Sequence, residues 1–220
     1  MELALFDLDN TLLSGDSDYE WAQFLIERGA LERAEYETKN DHFFLQYNEG
    51  RLDILEFLEF QLAPLARYPR EKLDEWHGEF MRTKIEPMIR AKGMELVQRH
   101  LRDKHLCAIV TSTNAFITAP IAREFGVAHL LATELEVENG RFTGKPSGTP
   151  CFREGKVTRL AEWLADEGRT LASFTAIWFY SDSQNDLPLL EHVTHPVAVD
   201  PDDVLRREAG KRGWQVISLE

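Results

Sequence analysis

The chain is short of several things, and each shortage excludes a class of protein. It has only 2 cysteines in 220 residues, Cys107 and Cys151, too few for a disulfide framework, and a chain this long buries enough surface to fold without one. Its apolar runs stop at about five residues, as in Leu106 to Val110 or Ala176 to Tyr180, far short of the roughly 20 that a membrane-spanning helix needs. Basic residues are scarce as well: 25 Lys and Arg stand against 38 Asp and Glu, a net charge of −13. A nucleic-acid partner requires a basic face to neutralise phosphate, and an anionic membrane surface requires the same, so neither is expected. The start, Met1-Glu2-Leu3, lacks a basic segment followed by an apolar one, so no secretory signal is expected and the reducing cytosol is the expected compartment.

The acid is unevenly spread. Residues 14–84 hold 16 acidic and 9 basic side chains, a net −7, so about half of the excess falls in a third of the chain. Their apolar positions recur at helical spacing (Trp21, Phe24, Leu25; then Ile54, Leu55, Phe57, Leu58, Leu62) with almost no β-branched runs, which predicts several amphipathic helices. Trp21, Phe24, Phe43 and Phe44 read as the apolar core of this helical segment, and His42 and His77 as scattered surface or core groups without zinc-ligand spacing. Outside it, short strand-like runs (3–8, 106–111, 174–181, 196–199 and 214–218) alternate with helical patterns at 88–102, 115–125, 156–167 and 203–212. Alternation of this kind implies right-handed crossovers and a parallel sheet covered on both faces. Asn139-Gly140 lies between two extended runs and predicts a β-hairpin over 134–144. The fold class is therefore α/β: a Rossmann-like parallel-sheet core from residues 1–13 and 85–220, with a helical cap, 14–84, inserted after the first strand.

In open parallel sheets ligands bind beyond the carboxyl ends of the strands, so polar residues that close an apolar run mark the place to look for chemistry. Four clusters do so. Phe6-Asp7-Leu8-Asp9-Asn10-Thr11 puts two carboxylates at i and i+2, a repulsive pair unless a cation neutralises it. Magnesium suits, since it takes hard oxygen ligands and usually keeps water and phosphate oxygens around it. Thr111-Ser112-Thr113-Asn114 leads into a helix, where hydroxyls and free N–H groups cradle an anion. Lys156 opens the amphipathic pattern Val157, Leu160, Ala161, Leu164; a cation is unfavourable at a helix start, so it serves something outside that helix. In Ser181-Asp182-Ser183-Gln184-Asn185-Asp186-Leu187-Pro188, proline fits only a first helical turn, which places Asp182 at a strand tip and Asp186 at a helix start. Each cluster alone has an ordinary reading as a turn, a helix cap or a solvated lysine. Their joint order, at four strand-to-helix junctions of one sheet, does not.

Together these segments resemble the haloacid dehalogenase superfamily, in its phosphoserine-phosphatase-like branch with a C1-type helical cap. Phe6 to Leu13 matches the first motif (apolar-Asp-x-Asp-x-Thr), Ile109-Val110-Thr111 the second, Lys156 the third and Asp182 to Asp186 the fourth; Ser181 stands where glycine is common and Thr111 where serine is frequent. The resemblance implies a magnesium-dependent phosphomonoesterase acting on a small phosphorylated metabolite. In it Asp7 is the nucleophile and Asp9 the general acid and base. Magnesium is held by Asp7, the Asp9 backbone carbonyl and Asp182, with Asp186 in support, and the phosphoryl oxygens by Thr111, Ser112, Thr113 and Lys156. Thr11 and Asn185 are expected on the substrate side. The second acid, Asp9, argues against carbon–halogen cleavage, whose leaving group needs no proton, and transport ATPases with the same first motif require membrane helices that are missing here.

The resemblance also bears on the substrate. Asp16 falls roughly where phosphoserine phosphatases place a glutamate for the substrate amine. An ungapped alignment through Gly50-Arg51-Leu52 puts Glu59 where they carry an arginine for its carboxylate. The expectation is an amine-bearing phosphomonoester without a carboxylate, with histidinol phosphate ahead of phosphoethanolamine and phosphocholine. The alternatives are phosphoserine, with Arg51 or Arg67 as compensating cation; transfer of the same aspartyl phosphate to another acceptor; and a non-catalytic binding protein on the same scaffold.

Overall fold

The structure, a computed structural model, describes residues 1–220, the Asn48 side chain excepted. It is organised around β1 (Leu3–Phe6), whose four residues are all fully buried, as a parallel strand covered on both faces must be. Side chains alternate across it: Leu3 and Leu5 join Leu160, Leu164 and Leu205 on one face, and Ala4 and Phe6 join Val97, Ile117 and Phe125 on the other. Four helices then leave the sheet, α1 (Ser17–Glu27), α2 (Arg33–Asn48), α3 (Ile54–Ala66) and α4 (Arg70–Phe80). Asp16, Glu32 and Asp53 accept N–H bonds at the starts of the first three, so the abundant acid of this segment partly serves as caps. The outgoing and returning chains are stitched together: Ser14 N–H donates to Met88 O at 2.8 Å, Arg90 N–H to Leu12 O at 3.1 Å, and Leu13 bridges Ile89.

The remainder alternates as expected: α5 (Ala91–Arg102), β2 (Leu106–Asn114), α6 (Ala115–Glu124), β3 (His129–Glu138), β4 (Arg141–Ser147), α7 (Glu154–Asp166), β5 (Ile177–Ser181), α8 (Leu187–Leu190), β6 (His195–Val199), α9 (Asp203–Arg212) and β7 (Gln215–Ile217). The strand order is β4-β3-β2-β1-β5-β6-β7, parallel throughout except for β4 against β3. After β1 the chain builds to one side through β2 and β3 and later to the other through β5 and β6. The order therefore reverses at β1, and a crevice opens beyond its carboxyl end. No helix among the described residues is long and apolar enough to cross a membrane.

The hairpin is larger than the span 134–144. Its first strand begins at His129 and pairs with β2 (Ala108 with His129, Val110 with Leu131), so it is an arm of the main sheet. Asn139 (φ 51°) and Gly140 (φ 77°) form the turn. The arm supports the cap: at Gly144 (φ 84°) a Cβ would sit 3.3 Å from Ala66 Cβ and 3.5 Å from Leu62 O of α3, so glycine lets the two backbones approach.

Candidate active site

The four polar clusters converge at the reversal point. Asp7 leaves β1 with its N–H bonded to Tyr180 O of β5 at 2.9 Å, so the neighbouring strand fixes its backbone. Lys156 Nζ lies 2.8 Å from Asp7 Oδ1 and 2.8 Å from Asp186 Oδ2, and it is 3% exposed. It reaches there because α7 starts tight against the preceding loop, where a Cβ on Gly155 would collide with the Pro150 carbonyl oxygen. Burial opposes the Lys156 charge, but the Asp186 and Asp7 carboxylates outweigh it and hold the ammonium pKa above its ordinary value. Burial raises Asp186 to about 6 against the pull of Lys156, and raises Asp7 as well. Asp182 is pushed well above the carboxylate range by burial and then by the charge of Asp7.

Two carboxylates, Asp7 and Asp182, thus face one slot with too much negative charge. The Thr11 hydroxyl stands between them, 3.2 Å from Asp7 Oδ2 and 3.0 Å from Asp182 Oδ1. Among the described residues no three His, Cys, Asp or Glu side chains gather around one point. A hard cation that binds through one or two carboxylates and fills its shell from backbone oxygen, water and phosphate fits such a slot; an all-protein cage is not what it offers. Asp186, with both Lys156 and Ser181 Oγ (2.7 Å) on its oxygens, serves to hold the lysine.

Asp9 is placed differently. One oxygen accepts the Ser17 N–H at 2.7 Å, at the start of α1, and the other accepts the Thr113 hydroxyl at 2.8 Å. Burial and then the Asp16 charge raise it to about 6, against these donors. It can therefore exchange a proton near neutral pH.

Several residues sit where the sequence alone did not put them. Thr11, expected against substrate, is fully buried and instead braces Asp7 and Asp182. Thr111 is 1% exposed with its hydroxyl 3.5 Å from Asp9 and bonded by the Thr113 N–H; Ser112 and Thr113 line the cavity instead. Asn185 does line it, oriented by Arg153 Nε at 3.0 Å, and the same guanidinium bonds Gly50 O of the cap. Tyr47 of α2 adds a second tie across the crevice, 3.0 Å from Ser183 Oγ.

The cavity above this floor measures about 510 Å³ and is roofed by the helical segment. Asp16 lies on it, with Oδ1 capping α1 through the Asp18 and Tyr19 N–H groups at 2.9 Å each. Glu59 does not. It is exposed in a separate groove between α2 and α3, beside Arg67. On α3 the cavity-lining residues are Ile54, Phe57 and Gln61; Glu59 is two positions from Phe57 and from Gln61, about 200° round the helix from either. Phe44 is likewise no core residue: it is 61% exposed at the cavity, since it stands about 100° round α2 from buried Phe43 and both cannot face inward. His77 is a satisfied core histidine, its Nε2 3.0 Å from Ile117 O, and His42 is exposed in the same groove as Glu59. Arg51 pairs with Glu49 in solvent, and neither it nor Arg67 reaches the cavity, whose only lining cation among the described residues is Lys156. Sequence reasoning passed over Asp18, Asn40, Asp41 and Gln61, all on the cavity wall, which only helix registry relative to the sheet identifies, and Phe152 in the bend before α7.

Comparison with known proteins adds an independent finding. Residues 4–191 match the family model of haloacid dehalogenase-like hydrolases. A histidinol-phosphatase of Neisseria meningitidis serogroup C (strain 8013) is 48% identical over 219 residues, 99% of each chain. A phosphoserine phosphatase of Mycobacterium tuberculosis is 32% identical across 97% of this chain and 69% of its own length. Among solved structures, a Bordetella pertussis Tohama I protein of unknown function superposes with TM-score 0.94 at 51% identity, covering 100% of this chain and 99% of its own. A substrate-bound phosphoserine phosphatase shares the fold, with TM-score 0.69 at 20% identity over 98% and 91% of the two chains.

Proposed function

Because this chain belongs to the haloacid dehalogenase-like hydrolases and is a phosphatase of that family, we propose that it hydrolyses a small amine-bearing phosphomonoester, such as histidinol phosphate, through a phosphorylated Asp7. One observation carries the reading. Asp7 stands between the Lys156 ammonium (2.8 Å) and the Thr11 hydroxyl (3.2 Å) at the floor of a cavity, with a second acid, Asp9, on hydrogen bonds of its own.

Asp7 attacks phosphorus and the bond to the leaving oxygen breaks, giving an aspartyl phosphate. Protonated Asp9 supplies the leaving oxygen with its proton; as carboxylate it then takes one from the water that attacks phosphorus and frees Asp7. Lys156 and the N–H and hydroxyl of Ser112 hold the phosphoryl oxygens, beside Thr113, whose hydroxyl holds Asp9; positioning and charge account for most of the catalysis. Asp7, Asp182 and the Asp9 carbonyl would hold magnesium, with Asp186 supporting through Lys156. When bound, the ion supplies the positive charge that lets a carboxylate meet a phosphate dianion. Residues 14–84 act as a cap that shuts the site from water, with the stitched 12–14 and 88–90 segments as its root.

The amine preference is supported by the lining: acids Asp16, Asp18 and Asp41 face the cavity and no cation but Lys156 does, so a substrate carboxylate would meet only repulsion. The 48% identical relative named for histidinol phosphate covers 99% of the chain. The reducing cytosol is the compartment that suits two unpaired, buried thiols, Cys107 and Cys151. The experiment is a panel of phosphomonoesters with magnesium, compared by kcat/KM. Histidinol phosphate is expected to lead and phosphoserine to trail; phosphoserine in first place overturns the amine reading.

A further inference from the structure

Asp18 is the second residue of α1, a position where an acid ordinarily lies in water and complements the helix dipole. Here it is 8% exposed, it faces the cavity, and its carboxylate has no hydrogen bond and no ion pair among the described residues. Its charged neighbours are acids, Asp16 and Asp9, so nothing among the described residues offsets its charge, and burial, then these two charges, raise its affinity for a proton. Asp16, by contrast, is half occupied: Oδ1 caps α1 and Oδ2 is left for a ligand. A fold that holds an uncompensated carboxylate against a cavity leaves the compensation to whatever fills that cavity.

The surroundings narrow what that is. Asp18 is near enough to Tyr36 for its charge to add to burial in keeping that hydroxyl protonated. The same hydroxyl lies 3.2 Å from Gln61 Oε1 and 3.3 Å from Asn40 Oδ1, and both amides line the cavity. Phe43, Phe57 and Phe152 supply flat apolar walls. An acid, two amides and aromatic faces fit a flat ring bearing ionisable nitrogen, held by charge at its edge and by stacking on its face.

We propose that Asp18 is a specificity-determining residue that receives the second nitrogen group of a phosphomonoester carrying two: an ammonium near the phosphate, met by Asp16, and a basic aromatic ring farther out, met by Asp18. The inference rests on the phosphatase reading above and adds to it the residue and the chemical class. It separates a two-nitrogen ester from phosphoethanolamine, which has only the first nitrogen, and from para-nitrophenyl phosphate, which has no cation.

The test uses the full chain with magnesium, wild type against Asp18→Asn, on histidinol phosphate, phosphoethanolamine and para-nitrophenyl phosphate. The KM for histidinol phosphate is expected to rise about 10-fold or more, with kcat changed less than about 3-fold, as loss of a ground-state charge contact requires. The loss in kcat/KM on the other two esters is expected to be several-fold smaller. Free histidinol, which carries both the ammonium and the basic ring and no phosphate, should raise the melting temperature of the wild type and not of the variant. Asp18→Glu, which keeps the charge and shifts it by one methylene, should fall between. Equal proportional losses on all three esters, or an unchanged histidinol shift in Asp18→Asn, overturn the assignment. Failure of the wild type to hydrolyse para-nitrophenyl phosphate would instead overturn the phosphatase reading, and the histidinol shift still decides Asp18.

Discussion

The floor and the roof of one cavity handle negative charge in opposite ways. On the floor, Asp7 and Asp186 share a lysine buried to 3% exposure, and Thr11 and Ser181 supply hydroxyls to the acids around it. On the roof, Asp18 is as closed off from water as Asp7 (8% against 7% exposed) and has no partner among the described residues. The floor carries a cation of its own, Lys156, because phosphate chemistry is the same for every substrate and needs a permanently arranged site. The roof leaves its acid unpaired, and an unpaired buried acid discriminates: it rewards a cationic ligand and penalises an anionic one.

Changes to the floor should have the largest effects. Asp7→Asn is expected to lower kcat by at least about 10⁴-fold, as removal of a catalytic nucleophile does, with circular dichroism unchanged. Measurable turnover in pure variant protein would refute the nucleophile. Removing divalent cations with EDTA should silence the wild type, and added magnesium should restore it.

Next comes the lysine. Lys156→Met leaves Asp7 and Asp186 buried without a cation and should destabilise the fold by about 3–5 kcal/mol, read by chemical denaturation. The sign of its pH dependence follows from the raised carboxylates. Asp186 already titrates near 6, and losing the lysine raises it further, so the folded variant holds protons that the unfolded chain releases. The penalty should be small near pH 5 and grow as the pH rises through 6 and above. A penalty that shrank with rising pH would mean the lysine is not what compensates these acids.

A smaller effect separates Asp9 from Asp7. With Asp9 near 6, the acid form needed for an alkoxide leaving group thins out as the pH rises through that value. The kcat/KM for an alkyl phosphate should therefore decline on the alkaline side more steeply than for para-nitrophenyl phosphate, whose leaving group needs little help. Parallel profiles would remove the general-acid assignment. The roof substitution at Asp18 ranks below these in absolute rate but above them in selectivity. The smallest effect is expected at Glu59→Gln, which lies outside the cavity: stability within about 0.5 kcal/mol of wild type and less than about a 2-fold change in kcat/KM for any ester. A larger change would show that the second groove communicates with the site.

How much of this was readable beforehand differs between the two regions for a physical reason. The floor residues sit at the ends of strands, and handedness and burial of parallel strands bring those ends to one edge whatever the details. Asp7, Asp9, Lys156, Asp182 and Asp186 could be named from short-range patterns alone. The orientation of two hydroxyls, Thr11 and Thr111, could not, because a motif shows which residue is present and not which way it turns. Thr11 bridges to Asp182, 171 residues away, a contact that no local pattern contains. In the cap, charge at helical spacing appears on every side of each helix, and an isolated helix has no inside. Glu59 and Gln61 differ by two positions and fall on opposite faces, and one lines the cavity while the other faces solvent.

The sequence by itself determined the chemistry: an α/β sheet with acids and one lysine at its strand ends, where alternating strands and helices have a single common way to pack. Only the tertiary structure decided which cap residues line the cavity. That choice depends on how far each helix is rotated about its own axis when Gly144 and the hairpin arm dock against α3, and on Asp18 being turned from solvent into the cavity. The rotation is set by packing between segments distant in sequence, which local spacing does not encode.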